Sequence, residues 1–140
     1  MEKTYAKRSI TAELAARMVE AAVAKAKAIK VPQVVAILDE SGLLKAFHRM
    51  DGAPLISIEV AQNKAYTALL GAPSQEFFNR IKDNPALLAG APHIPRIVTF
   101  GGGLPIRIDE VVAGGIGVSG GSVDQDIECA QAAIDAIAKA

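Results

Sequence analysis

The stretch Val111-Val112-Ala113-Gly114-Gly115-Ile116-Gly117-Val118-Ser119-Gly120-Gly121-Ser122 decides how this chain folds. Its apolar opening reads as a strand, its glycines as a close approach or a turn, and Ser122 as the start of a final helix. Glycine permits positive φ and lets backbone come near another group. The letters Gly115-Ile116-Gly117-Val118-Ser119-Gly120 match G-x-G-x-x-G. A dinucleotide site needs those glycines after a strand, opening a βαβ unit, with an acidic residue about 20 positions later. Here the first glycines fall inside the strand and a single helix remains. Asp124 and Asp126 stand in its first turn, where they repel a pyrophosphate. The dinucleotide reading fails. Two others stay open: a nest of N–H groups that holds a carboxylate or a ligand oxygen, or a bulge or close helix packing that the glycines permit.

Working outward, Arg96–Phe100 and Leu104–Ile108 read as two further strands. They flank a second glycine turn, Gly101-Gly102-Gly103, and Asp109-Glu110 makes a tight reversal into the last strand. Toward the amino terminus, Val34-Val35-Ala36-Ile37 and Leu43–Met50 form a hairpin around Asp39-Glu40-Ser41-Gly42. In the second of these strands Phe47 is expected to point inward, with His48 on the opposite face. Thr11 caps a first helix with Glu13 in its first turn, and Pro32 marks the break after it. Pro54 opens a second helix that runs to about Leu70, and Ser74 caps a short third one. Asp83–Pro95, with three prolines and a glycine, reads as an ordered loop. The final helix is expected to bury Val123, Ile127, Ala130, Ile134 and Ile137. The order α-β-β-α-α-β-β-β-α, with hairpins in both halves, predicts an α+β domain spanning residues 1–140.

Composition narrows the functional classes. Fifteen basic residues balance fifteen acidic ones, and aromatic residues are 4% of the chain. The one dense basic run, Lys25-Ala26-Lys27-Ala28-Ile29-Lys30, reads as lysines that complement the dipole at a helix end, and aromatic stacking platforms for nucleic acid are scarce. Apolar residues reach 51% without an uninterrupted run of the ~18 that a membrane span needs. The charged amino terminus predicts no secretion signal and a cytoplasmic protein. The lone Cys129 rules out an internal disulfide and any multi-thiolate metal site.

The side chains offer few candidates for chemistry. No nucleophile elbow, P-loop or paired-carboxylate signature is present. His93 stands in the proline-rich segment, where a neutral imidazole can serve as an axial heme ligand or a general base. The alternative is a loop histidine bonded to nearby backbone. His48 reads as a solvated strand residue. Arg49 can pair with Asp51 or bind an anion, and Lys64 can reach a ligand carboxylate or stand in solvent. The residues alone therefore describe a small-molecule-binding domain without evident catalytic machinery.

Four segments in order carry a resemblance. They are Val35–Leu44 with Phe47–Pro54, Ala61-Gln62-Asn63-Lys64-Ala65-Tyr66-Thr67-Ala68, Phe100–Pro105, and Gly114–Gly121 with Asp124-Gln125-Asp126. Together they resemble the heme-binding, heme-degrading HbpS-like (GlcG-like) family, which includes the carboxy-terminal domain of PduO-type adenosyltransferases. The resemblance implies a profilin-like α/β/α arrangement around a five-stranded antiparallel sheet, and homo-oligomers. It also implies heme binding in some members, with slow heme breakdown in a few. In a PduO-type member the iron ligand is a histidine near the first helix. Thr11–Lys30 contains none here, so that ligand does not carry over.

The resulting expectation is an oligomeric protein that binds heme or a related tetrapyrrole. Gly101, Gly102, Gly103, Gly117, Ser119 and Gly120 shape the pocket, Arg49 or Lys64 meets the acidic groups, and His93 ligates the metal. The competing reading is an enzyme acting on a small hydroxy acid or aldehyde. There the glycine turns donate N–H groups to an oxyanion, and His93 or Asp124 carries the proton. A third is an accessory module of a diol or glycolate pathway.

Overall fold

Local signals start and stop most of the elements in the computed structural model, which describes all 140 residues. The Thr11 hydroxyl accepts a hydrogen bond from the Leu14 N–H at 3.2 Å and opens α1 (Ala12–Ala28). Strands β1 (Val34–Asp39) and β2 (Leu44–Arg49) form the expected hairpin. The Asp39 carboxylate secures its turn by accepting from the N–H groups of Ser41 and Leu43. Strands β3 (Gly103–Ile108) and β4 (Val111–Ser119) form a second hairpin. Asp109 and Glu110 join them with φ of 50° and 66°, the positive values a two-residue hairpin turn demands. All pairings are antiparallel, in the order β2-β1-β4-β3.

Helices cover both faces of this sheet. α1 and α5 (Val123–Asp135) pack on one, α2 (Ser57–Ala68) on the other. The main core lies under α1 and α5, where Met18, Ala22, Val35, Ile37, Ile106, Ile116, Val118 and Cys129 are fully buried. The α2 face is built differently. Ala61 and Ala65 of the helix meet Gly115 and Gly117 of β4, and Gly103 of β3 lies beside them. A methyl group at Gly117 would collide with the Ala61 carbonyl oxygen, one at Gly115 with that of Ala65, and one at Gly103 with that of Lys64. Helix backbone thus rests directly on strand backbone. Close packing is what Gly115 and Gly117 provide.

The structure corrects four expectations. The sheet has four strands, not five, because Arg96–Phe100 stays outside it. Arg96 has φ of 68°, and the Val98 N–H donates to the Thr67 hydroxyl at 3.0 Å instead of to a neighbouring strand. The Phe100 carbonyl accepts from the Ser74 hydroxyl at 2.7 Å. Helix side chains satisfy this segment, so it needs no strand partner. Second, Asp83–Pro95 contains α4 (Pro85–Gly90) and a 3₁₀ turn, Ala91–His93. Asn84 caps α4 by accepting from the N–H groups of Ala86 and Leu87, and Pro85 fits its first turn. Third, Phe47 is not inward. It lies 38% exposed on edge strand β2. Ser74 also differs, beginning α3 (Ser74–Ile81) while its hydroxyl serves Phe100 and Gly103.

The seating of α2 on glycine yields a direct test. Gly117→Ala is expected to lower unfolding free energy by about 3 kcal/mol or more, because two backbones must part. Gly90→Ala, with nothing within 4 Å of the added carbon, is expected to be neutral or slightly stabilising. Urea denaturation of the two variants beside the parent measures both.

Candidate functional site

Lys64 stands in the middle of α2, yet its side chain is 1% exposed. It reaches past the end of β4. There its ammonium donates to the Val118 carbonyl at 2.9 Å and to Asp126 Oδ2 at 2.8 Å. The Phe100 ring faces the same ammonium with its centroid 5.3 Å away. Gly102, at φ of 122°, makes room for it, since a side chain there would begin 2.6 Å from Nζ. Burial lowers the pKa of Lys64, while the hydrogen bond and charge of Asp126 counter that shift.

Asp126 comes from the opposite helix layer. Ser122 starts α5 with a reciprocal capping box. Its hydroxyl accepts from the Gln125 N–H, and its own N–H donates to the Gln125 side chain. This fixes Asp126 one turn into the helix. Its second oxygen accepts from the Gly121 N–H at 2.9 Å. One carboxylate therefore joins α2, the Gly120-Gly121 turn and α5.

An open cleft of about 300 Å³ lies over this pair. Lys64 and Asp126 line it together with Ser57, Ser119, Gly120 and Gly121. The Ser119 hydroxyl donates to that of Ser57 at 3.1 Å, and both serines are buried. Ile56, Phe100 and Val123 form an apolar rim at 72%, 41% and 39% exposure. A polar floor under an exposed apolar rim suits a molecule with a polar end and an apolar body.

Of the residues singled out in the sequence, Lys64, Ser119 and Gly120 meet here. Gly101, Gly102 and Gly103 are buried behind them, with Gly101 against Val123 and Ile127. Gly117 is covered by α2. Arg49 is exposed on β2, and Asp124 lies on the outer side of α5 in a groove with Lys25 and Glu128. His93 is exposed on the 3₁₀ turn after α4. None of these three lines the cleft. Sequence reasoning missed Ser57 and the role of Asp126. The spacing of Asp126 after the capping serine was the available signal, but nothing local pairs it with Lys64, 62 residues away.

Removing one partner of a buried ion pair strands the other. Asp126→Ala is expected to cost about 3–5 kcal/mol in urea unfolding. Adding Lys64→Met should recover part of that loss, because the orphaned charge is then gone. Equal losses in the single and double variants would contradict this role for the pair.

The family model for haem-degrading HbpS-like proteins matches residues 10–135. Corrinoid adenosyltransferase PduO of Salmonella typhimurium is 40% identical over 123 residues, which are 86% of this chain and 37% of that protein. The chain thus spans little more than a third of that relative's length. The crystal structure of Klebsiella pneumoniae protein ORFY matches with a TM-score of 0.93 at 35% identity, covering 100% of this chain and 98% of that one. A PduOC:heme complex matches with a TM-score of 0.85 at 37% identity, covering 91% and 94%. The fold is therefore shared with these proteins, and this chain belongs to the HbpS-like family.

Proposed function

We propose that the chain is a cytoplasmic, homo-oligomeric protein that binds heme or a related tetrapyrrole, with slow breakdown of bound heme as a further activity. The observation that carries this reading is the likeness to the PduOC:heme complex across nearly the whole fold. No helix is long and apolar enough to cross a membrane. Self-association is supported by the apolar surface around the start of α2, where Leu55 and Ile56 are 82% and 72% exposed. Exposed apolar residues gathered in one region mark a surface that something covers.

Bound heme would supply an iron centre that takes an axial ligand and exchanges electrons. The donor set of this chain limits where such a group fits. No cluster of three or more His, Cys, Asp or Glu is arranged to hold a bare metal ion. Cys129 is fully buried, and that burial pushes its thiol pKa up, away from the thiolate a metal needs. The cleft over Lys64 offers hydroxyls, an ammonium and a carboxylate, but no imidazole. The two imidazoles, His48 and His93, are both exposed and free of side-chain hydrogen bonds, so the fold keeps them available to iron.

A second reading rests on the paired Ser57 and Ser119 hydroxyls, which offer a small hydroxy acid or aldehyde polar contacts within the cleft. The Gly121 N–H is already engaged by Asp126, so the glycine turn has less to give an oxyanion than its sequence promised. Titration of the apo-protein with hemin, followed in the Soret region against free hemin, tests the principal reading. A saturable shift near one heme per chain or per subunit pair is expected. A flat or non-saturating response would overturn heme binding and leave the cleft as the site to pursue with small carboxylates and aldehydes.

A further inference from the structure

We infer that the cleft over Lys64 takes a short-chain aldehyde and holds it as an imine on the Lys64 amine. This rests on the second reading above, a small molecule in the cleft, and is independent of heme. Lys64 is the one lysine that the fold buries, since every other is exposed or half-buried.

The hydrogen bonds of the cleft leave donors over and their acceptors filled. Ser57 and Ser119 are buried, and with the Ser119 proton given to Ser57, the Ser57 proton meets no acceptor. The Gly120 N–H, in the turn that lines the same cleft, donates to nothing within the chain. Asp126 is taken at both oxygens, Oδ2 by the Lys64 ammonium and Oδ1 by the Gly121 N–H. A donor without a partner costs free energy until a ligand supplies one. The complementary ligand therefore presents an accepting oxygen.

Charge selects the kind of oxygen. Lys64 and Asp126 neutralise one another, and Asp126 lines the cleft beside any ligand. A ligand carboxylate would lie against that of Asp126 with the one cation already shared. A carbonyl accepts the same hydrogen bonds without that repulsion, so an aldehyde fits where a hydroxy acid does not. The cleft, at about 300 Å³, is at the small end of the range for ligand sites. Ile56, Val60 and Val123 offer carbon to a short alkyl tail.

An amine beside a carbonyl has a reaction open to it. Burial lowers the pKa of Lys64, which favours the uncharged, nucleophilic form. Asp126 Oδ2, 2.8 Å from Nζ, is placed to take the ammonium proton. The nitrogen then bonds to the carbonyl carbon, and the C=O π pair moves onto oxygen. Asp126 carries protons from nitrogen to that oxygen, the C–O bond breaks and water leaves. Two of the three ammonium protons depart in the water, and the third stays on the imine nitrogen. Charge is conserved, so the protonated imine still faces Asp126, and no oxidant or reductant is consumed.

Propionaldehyde with sodium cyanoborohydride, at a limiting dose and neutral pH, tests this in the parent protein. The hydride fixes an imine as a stable propyl amine, and peptide mass mapping reads the modified fraction at each lysine. Lys64 is expected to react roughly tenfold or more faster than the exposed lysines, because a lower pKa leaves more free amine. Unfolding in urea should abolish that preference. Ser57→Ala, which leaves the ion pair in place, should slow Lys64 alone by about fivefold, the worth of one hydrogen bond. An amide chemical-shift map with propionaldehyde and no reductant separates binding from reaction. Shifts at Ser57, Ser119 and Gly120 with Lys64 unmodified would overturn the imine and leave the small-molecule reading standing. Modification of the exposed lysines only, with no shifts in the cleft, would overturn both.

Discussion

The contact on which the rest of the structure depends is backbone against backbone. α2 rests on Gly103, Gly115 and Gly117 so closely that no β-carbon fits between them. Packing this tight brings the middle of the helix down to the level of the sheet. Lys64 can then pass the end of β4 and meet Asp126 from the other layer. A buried ion pair is a poor source of net stability, because both ions lose their water. Its value here is geometric. One ammonium and one carboxylate fix α2, the Gly120-Gly121 turn and α5 relative to one another.

Much of the fold was legible because its signals are local. Thr11 and Ser122 announce two helix starts, Asp39-Glu40-Ser41-Gly42 and Asp109-Glu110 announce two hairpins, and the structure places each as read. The misread segments were settled by distant groups. Arg96–Phe100 has the β-branched composition of a strand, but Thr67 and Ser74 take its hydrogen bonds from the helix side. Asp83–Pro95 has the prolines of a loop, yet Asn84 caps a short helix within it.

The site was legible in part, for the same reason. Lys64, Ser119 and Gly120 could be singled out by type and position, and they do meet. That Lys64 is buried, and that Asp126 rather than Asp124 faces it, depends on two helices from opposite layers converging. Alternation in β2 was enough to separate His48 from Phe47. It could not tell which of the two faces an open groove, because Phe47 has no inward seat at the sheet edge.

The glycines that first drew attention thus serve mainly to seat a helix, and they leave a polar cleft with no imidazole. The two imidazoles stand away from that cleft, His48 exposed on β2 and His93 exposed on the 3₁₀ turn after α4. The most direct test of this division is an amide chemical-shift map of the isotopically labelled protein as a diamagnetic zinc porphyrin is added. Perturbations centred on one of the exposed imidazoles, His48 or His93, with Ser57, Lys64 and Ser119 unmoved, are the predicted result. A map centred on the cleft over Lys64 and Asp126 would contradict the account.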